Sequence, residues 1–277
     1  DETFTCGISI SSDEKFFIIG TSDHITSEEY FFSSSDSVIK PILFKKRKRD
    51  VRYSIDSWKG YFYVHTNEDA RDYKVLRCKT NQIDKLETFI PAKEETVIGG
   101  LDFLDDYILR AEKSDAISKI FVRNIETNKE EEIKFENEKV ISPGLSLIQR
   151  DRDTNLIYLS YSSPKTQSRT YLYNLKYKDR KLLKEQEIPS GHIPDDYIVE
   201  RLECIAHDGV KIPITITRNR NTKIDGSANL LLYGYGSYGH SIPPTFSSSR
   251  FSLIDRDIIC VTAHISCLLY TSDAADE

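Results

Sequence analysis

The sequence predicts a run of four-stranded β-propeller blades followed by the opening of an α/β domain. Three observations predict it. Segments of similar length recur about every 45 residues, the period of four-stranded blades. Each segment holds four short stretches rich in β-branched and aromatic residues, separated by polar turns. After Pro189 the pattern changes to long alternating runs and a continuously apolar run that ends in glycine. The expected organisation is a partial propeller of about four blades over residues 1–190, the start of an α/β domain over 191–265, and a non-native tail over 266–277.

The first segment begins near Phe4 with FTCGISIS, KFFIIGTSD, EEYFFSSSD and PILFKKR. The second starts at Val51 (VRYSIDSW, YFYVHTN, YKVLRCKT, LETFIP), the third near Val97 (VIGGLDFL, YILRAEK, KIFVRNIET, EEIKFENE). The fourth starts near Gly144 (GLSLIQR, LIYLSYSS, RTYLYNLK, KLLKEQEIP). A four-stranded antiparallel sheet cannot bury both its faces alone, and stacking blades buries them. Tyr61 to Val64 and Leu156 to Tyr161 are apolar at nearly every position and are expected to be covered on both faces. Four blades with two raw edges make a poor closed ring, so further blades are expected upstream. A two-sheet sandwich is the alternative, although it needs no regular spacing.

PSGHIPDDY, with two prolines, a glycine and two aspartates, reads as a linker. Asp208-Gly209 is a hairpin-turn dipeptide between two alternating runs, YIVERLECIA and VKIPITITR. Leu230 to Tyr233 is continuously apolar, as in a buried strand of a mainly parallel sheet. Ser248 to Asp255 suits a short helix with serine at its N-cap, and Asp257 to Ile265 suits another buried strand.

The net charge of −6 argues against nucleic-acid binding, and no apolar run reaches the length of a membrane span. The five cysteines form no C-x-x-C pair and show no metal spacing. They read as free thiols of a reducing, cytoplasmic protein without a metal or other cofactor. The run Lys45 to Arg49 reads as a solvated turn, and His264 as a packed or hydrogen-bonded core group. The sequence contains no methionine, which a missing natural N-terminus would explain.

The segment LLLYGYGSYGHSIPPTFSSSRFSLIDRDIICVTAHI resembles the oligopeptidase B branch of the prolyl oligopeptidase family of serine peptidases. YGYGSYG is the specific part; ERLECIAHDGVKIPI, YSIDSWKGYFYVHTN and EIPSG agree, so the resemblance covers residues 1–265. It implies a seven-bladed propeller capping an α/β-hydrolase domain, with access restricted to short peptides, cleaved after Lys or Arg. It also implies that Tyr235 is the oxyanion-hole donor and that Tyr238 lines the primary substrate pocket. The family's Ser, Asp and His lie beyond the matching segment, and no G-x-S-x-G elbow occurs here. Pro243 and Thr245 stand where acidic residues are common in this branch, which puts a preference for paired basic sites in doubt. A non-enzymatic propeller that binds a partner, or a pseudoenzyme, are the competing classes. A binding-only propeller has no reason to continue into HDGVKIP and YGYGSYG.

Cys267 to Glu277, CLLYTSDAADE, reads as the translation of a transposase-end sequencing adaptor in one frame, and Ser266 fits its first codon. Residues 266–277 are therefore expected to have no place in the fold and are set aside from functional reasoning.

Overall fold

The structure is a computed structural model that describes residues 3–135, 138–147, 152, 154–236 and 241–265. Tyr238 and the tail from Ser266 lie outside the described residues.

Residues 5–185 form four separate four-stranded antiparallel sheets, each built from four consecutive strands in chain order. The first is β1 (Thr5–Ile10), β2 (Phe16–Ser22), β3 (Ser27–Ser33) and β4 (Ile42–Lys45). The second is β5 (Tyr53–Trp58), β6 (Tyr61–Thr66), β7 (Lys74–Lys79) and β8 (Glu87–Ile90). The third is β9 (Val97–Leu104), β10 (Tyr107–Ser114), β11 (Ile117–Asn124) and β12 (Glu130–Ile133). The fourth is β13 (Gly144–Leu147), β14 (Leu156–Tyr161), β15 (Arg169–Asn174) and β16 (Arg180–Glu185). Each sheet pairs its strands in chain order, and this order rules out a two-sheet sandwich.

The chain divides into two compact units. The first comprises Asp1–Lys113, Phe121–Glu132 and Asp151–Thr154. Its core shows why β6 is apolar at successive positions. Phe62 and Val64 point one way, into a cluster with Ile18, Phe31 and Phe44 of the first sheet. Tyr63 points the other way, into a cluster with Ile98, Phe103 and Ile108 of the third. Phe62 lies with ring centroids 4.8 Å from Phe16, 4.8 Å from Phe31 and 5.6 Å from Phe44. Burying one such ring stabilises by about 1.5–3 kcal/mol, and Phe62→Ala would cost about 3–5 kcal/mol once the cavity is included. Trp58 stacks on Phe103 at 5.9 Å and donates its indole N–H to the Asp105 carbonyl at 3.2 Å.

Polar groups join the first two sheets as well. Ser27 Oγ donates to the Tyr53 carbonyl at 2.7 Å and accepts the Tyr53 N–H at 2.6 Å. Asp56 accepts from the Ser12 N–H at 2.7 Å and the Ser12 hydroxyl at 2.6 Å. In the same unit Arg110, only 1% exposed, donates to Glu130 at 2.6 and 2.9 Å and to Glu112 at 2.8 Å. Its guanidinium lies 4.8 Å from the centre of the Phe121 ring.

The second unit is Ser114–Ile120, Ile133–Arg150 and Asn155–Glu277. Here β14 corrects the expectation of burial on both faces. Ile157, Leu159 and Tyr161 are buried, while Tyr158 and Ser160 between them are exposed. A strand covered on one face alternates in this way.

After a single 3₁₀ turn, Pro194–Asp196, comes a fifth sheet: β17 (Tyr197–Ile205), β18 (Lys211–Asn219), β19 (Leu230–Gly234) and β20 (Ile259–Ala263). β17 and β18 pair antiparallel from Tyr197↔Asn219 to Ile205↔Lys211 around a turn in which Gly209 has φ +82°, as Asp-Gly predicts. The order is β17-β18-β20-β19, with β20 antiparallel to β18 and parallel to β19. Helix α1 (Ser248–Ile254) buries Phe251 and Ile254 against Tyr197 and Cys260. Its N-cap is Ser247, whose side chain makes no capping bond and instead meets Ser249 Oγ at 3.0 Å. β20 is largely buried, but Leu230 to Tyr233 are exposed, Leu232 by 62%. The strand is therefore present with its parallel partner but uncovered: β19 is an edge strand, and α1 packs on β18 and β20.

Candidate functional site

β19 and β20 run in register from Leu230↔Ile259 to Gly234↔Ala263. Parallel strands release their loops at one common end, and in open sheets functional groups collect outside the carboxyl ends. Tyr235 is the first residue past β19 and His264 the first past β20, so both sit at that end. Tyr235 is 44% exposed, and among the described residues its hydroxyl has no hydrogen-bond partner. Gly236 follows because of a close approach: a Cβ there would lie 2.6 Å from Ile265 Cγ1 and 3.1 Å from the Ile265 carbonyl oxygen. A larger residue would push the turn off the end of β20 and re-aim Tyr235.

His264 shapes the same end as a brace, as its position in the sequence suggests. It is buried, and its Nδ1 lies 2.6 Å from the Ile242 carbonyl, with Nε2 2.7 Å from Thr215 Oγ1. A carbonyl only accepts, so Nδ1 carries the proton and Nε2 accepts from the threonine hydroxyl. Both ring nitrogens are occupied in holding the loop after Tyr235 onto β18. Further along, the Phe246 N–H donates to Ser162 Oγ at 2.9 Å, fastening the loop beside the fourth sheet.

The linker histidine is the residue whose role the sequence concealed. His192 stacks on Tyr197, centroids 5.0 Å apart and planes 12° apart, and meets Phe246 at 5.0 Å and Phe251 at 4.6 Å edge-on. Its Nε2 donates to the Lys165 carbonyl at 2.7 Å. The ring thus joins the fourth sheet, the linker and the fifth sheet in one aromatic cluster. Tyr197 closes that cluster by donating to Asp255 Oδ1 at 2.7 Å; burial first, then this bond, push its pKa up to about 12. No signal in the local sequence marks His192, because most of its partners are distant along the chain. Among the described residues no group of His, Cys, Asp and Glu could hold a metal ion, and no helix is long and apolar enough to cross a membrane.

Consecutive four-stranded sheets in chain order are the architecture of β-propeller blades, here followed by a mixed sheet. Residues 1–186 match the N-terminal β-propeller domain of prolyl oligopeptidase, and the chain belongs to that family of serine peptidases. Among curated relatives it is 30% identical to dipeptidyl aminopeptidase BI of Pseudoxanthomonas mexicana over 96% of this chain and 36% of that protein. It is 28% identical to protease 2 of Moraxella lacunata, over 96% of this chain and 38% of the relative. In three dimensions it is similar to oligopeptidase B from Trypanosoma brucei with covalently bound antipain in a closed form. That match has a TM-score of 0.87 at 26% identity, over 95% of this chain and 39% of the other. Oligopeptidase B from Leishmania major shares the fold with a TM-score of 0.86 at 21% identity, over 96% and 39%. The chain thus spans 36–39% of the length of these relatives.

Proposed function

We propose that this chain is part of a serine oligopeptidase that hydrolyses short peptides after Lys or Arg. In this reading residues 1–190 belong to a propeller that limits access to short chains, and 191–265 are the first strands of an α/β-hydrolase domain. The observation that carries the reading is the exposed Tyr235 at the carboxyl end of the parallel pair β19 and β20. Acyl transfer builds negative charge on the former carbonyl oxygen. A fixed hydroxyl donor aimed at that oxygen lowers the barrier by about 3–4 kcal/mol. Gly236 and the His264 brace hold the segment that presents the donor. Tyr238 would line the pocket for the residue before the cleaved bond. With no G-x-S-x-G elbow in these 277 residues, the nucleophile would come from elsewhere in the intact protein. Its place of work would be the cytoplasm, its partners short basic peptides, and it would need no cofactor.

The experiment is Tyr235→Phe in the intact protein, assayed on a Lys or Arg ester. Loss of one donor present mainly in the transition state should lower kcat by about 10²–10³ and change KM little. An unchanged kcat would remove Tyr235 from the chemistry.

A further inference from the structure

One cleft of about 590 Å³ lies in the first unit, between the first and second sheets. Its origin is a row across the first sheet: Gly7 on β1 pairs with Gly20 on β2, which pairs with Glu29 on β3. Two side chains are missing from that row, so the carboxylate at its end is left open. A Cβ on Gly7 would meet nothing within 4 Å, and one on Gly20 would lie 3.5 Å from Glu29 Oε1. Glu29 Oε2 accepts the Ile55 N–H at 2.7 Å, which fixes the carboxylate in place. Among the described residues Oε1 has no hydrogen-bond partner and faces the glycine row. The opposite wall includes Tyr53, His65 and Tyr73. His65 stacks on Tyr73 at 4.5 Å with planes 12° apart.

We propose that this cleft is a binding subsite for a single ammonium or guanidinium group, such as the head of a lysine or arginine side chain, received by Glu29 Oε1. An anchored carboxylate with one bare oxygen, reached past two glycines and flanked by aromatic rings, suits a cation with a narrow alkyl stem. The other charged and titratable groups are compatible with that ligand. Burial lowers the pKa of His65, so its ring stays neutral at pH 7 and above. Burial raises the Tyr53 pKa to about 12, so it remains a phenol. Tyr73 and Cys6 complete the titratable lining. Arg52 is the single cationic side chain of the lining and is exposed, where water and salt screen it. Asp56, held by Ser12, adds a second negative charge near Glu29.

Burial, together with repulsion from Asp56, pushes the empty Glu29 up to about 7 against the Ile55 bond. A bound cation favours the ionised form, so binding should release protons. From pH 6 to pH 8 the affinity should rise about tenfold, following ionisation of Glu29.

The test is calorimetric titration of the intact protein with N-acetyl-lysine amide, n-butylammonium and, as an uncharged isostere, N-acetyl-norleucine amide. Both cations should bind at pH 8 if the head group alone is read; binding by the lysine derivative only assigns the site to peptide side chains. The norleucine compound should not bind. Glu29→Gln keeps an acceptor for Ile55, and Gly7→Val fills open space on a strand at a site without positive φ; each should weaken binding at least tenfold. Turnover of a short ester substrate should not change in either variant, so the subsite and the peptidase reading can fail separately. Equal binding of the norleucine compound, no binding to the unaltered protein, or full affinity in Glu29→Gln would overturn the proposal.

Discussion

Replacing Arg110 by Met removes one charge from the middle of a buried network and keeps an unbranched apolar stem. The side chains of Arg110, Glu112 and Glu130 are 1%, 5% and 26% exposed, so three charge-assisted hydrogen bonds to carboxylates would disappear in a region largely closed to water. Breaking a buried pair from one side costs about 3–5 kcal/mol. Two cations remain: Lys93 holds Glu112 at 2.7 Å, and Arg123 lies 3.2 Å from Glu130. They leave the network balanced, so the low end applies, about 3 kcal/mol at pH 7. Trp58, the single tryptophan, stacks on Phe103 in the same unit and reports unfolding of that unit in urea. The pH dependence has a definite sign. The hydrogen bond from Arg110 is the first cause holding the Glu130 pKa below its ordinary value. Such a carboxylate stabilises the fold above its unfolded pKa and loses that contribution as pH falls through the folded value. The gap between the parent protein and Arg110→Met should therefore narrow below about pH 4. A loss under 1 kcal/mol, or a gap that stays constant down to pH 2, would refute this account of the network.

Thiol alkylation of the folded protein should modify Cys6 and Cys204 and spare Cys78 and Cys260, which are buried; burial also pushes the Cys78 pKa up to about 11, and peptide mapping would read the pattern. Gly209→Val places a β-branched residue at φ +82° and should destabilise the β17–β18 hairpin by about 1–3 kcal/mol, measured as a shift in urea midpoint. His264→Phe should cost about 1–3 kcal/mol, because it leaves Thr215 and the Ile242 carbonyl without their buried partner. The 277 residues expressed alone should show no hydrolysis after Lys or Arg and no labelling by a serine-directed inhibitor; sensitivity to such an inhibitor would overturn the proposal that the nucleophile comes from elsewhere in the intact protein.

Strand positions were legible in the sequence because β-branched and aromatic content, turn residues and spacing are local properties. The covering of those strands was less so. YFYV in β6 and LIYLSY in β14 look alike as apolar runs, yet β6 is packed on both sides and β14 on one. Apolar content records what a strand can bury, whereas neighbours decide what it does bury, and neighbours are distant in sequence. The same limit applies to β19, where a run that reads as interior lies exposed at a sheet edge. Tyr235 could be singled out only through its family motif, since a tyrosine at a strand end is otherwise unremarkable. The Glu29 cleft had no local signature, because it arises from pairing Gly7, Gly20 and Glu29 across three strands.

The turn between β5 and β6 governs more than its two residues suggest. Lys59 and Gly60 both have positive φ, at 47° and 83°, and close a hairpin in which Trp58 pairs directly with Tyr61. Lengthening this turn by one residue would slide β6 by one position and exchange its sides. Phe62 and Val64 would then confront the third sheet, and Tyr63 the aromatic pocket of the first. Both seams would be lost in one event, so the hairpin works as a single tooth engaging two gears. Insertions tolerated in the other exposed loops of this unit should be rejected here.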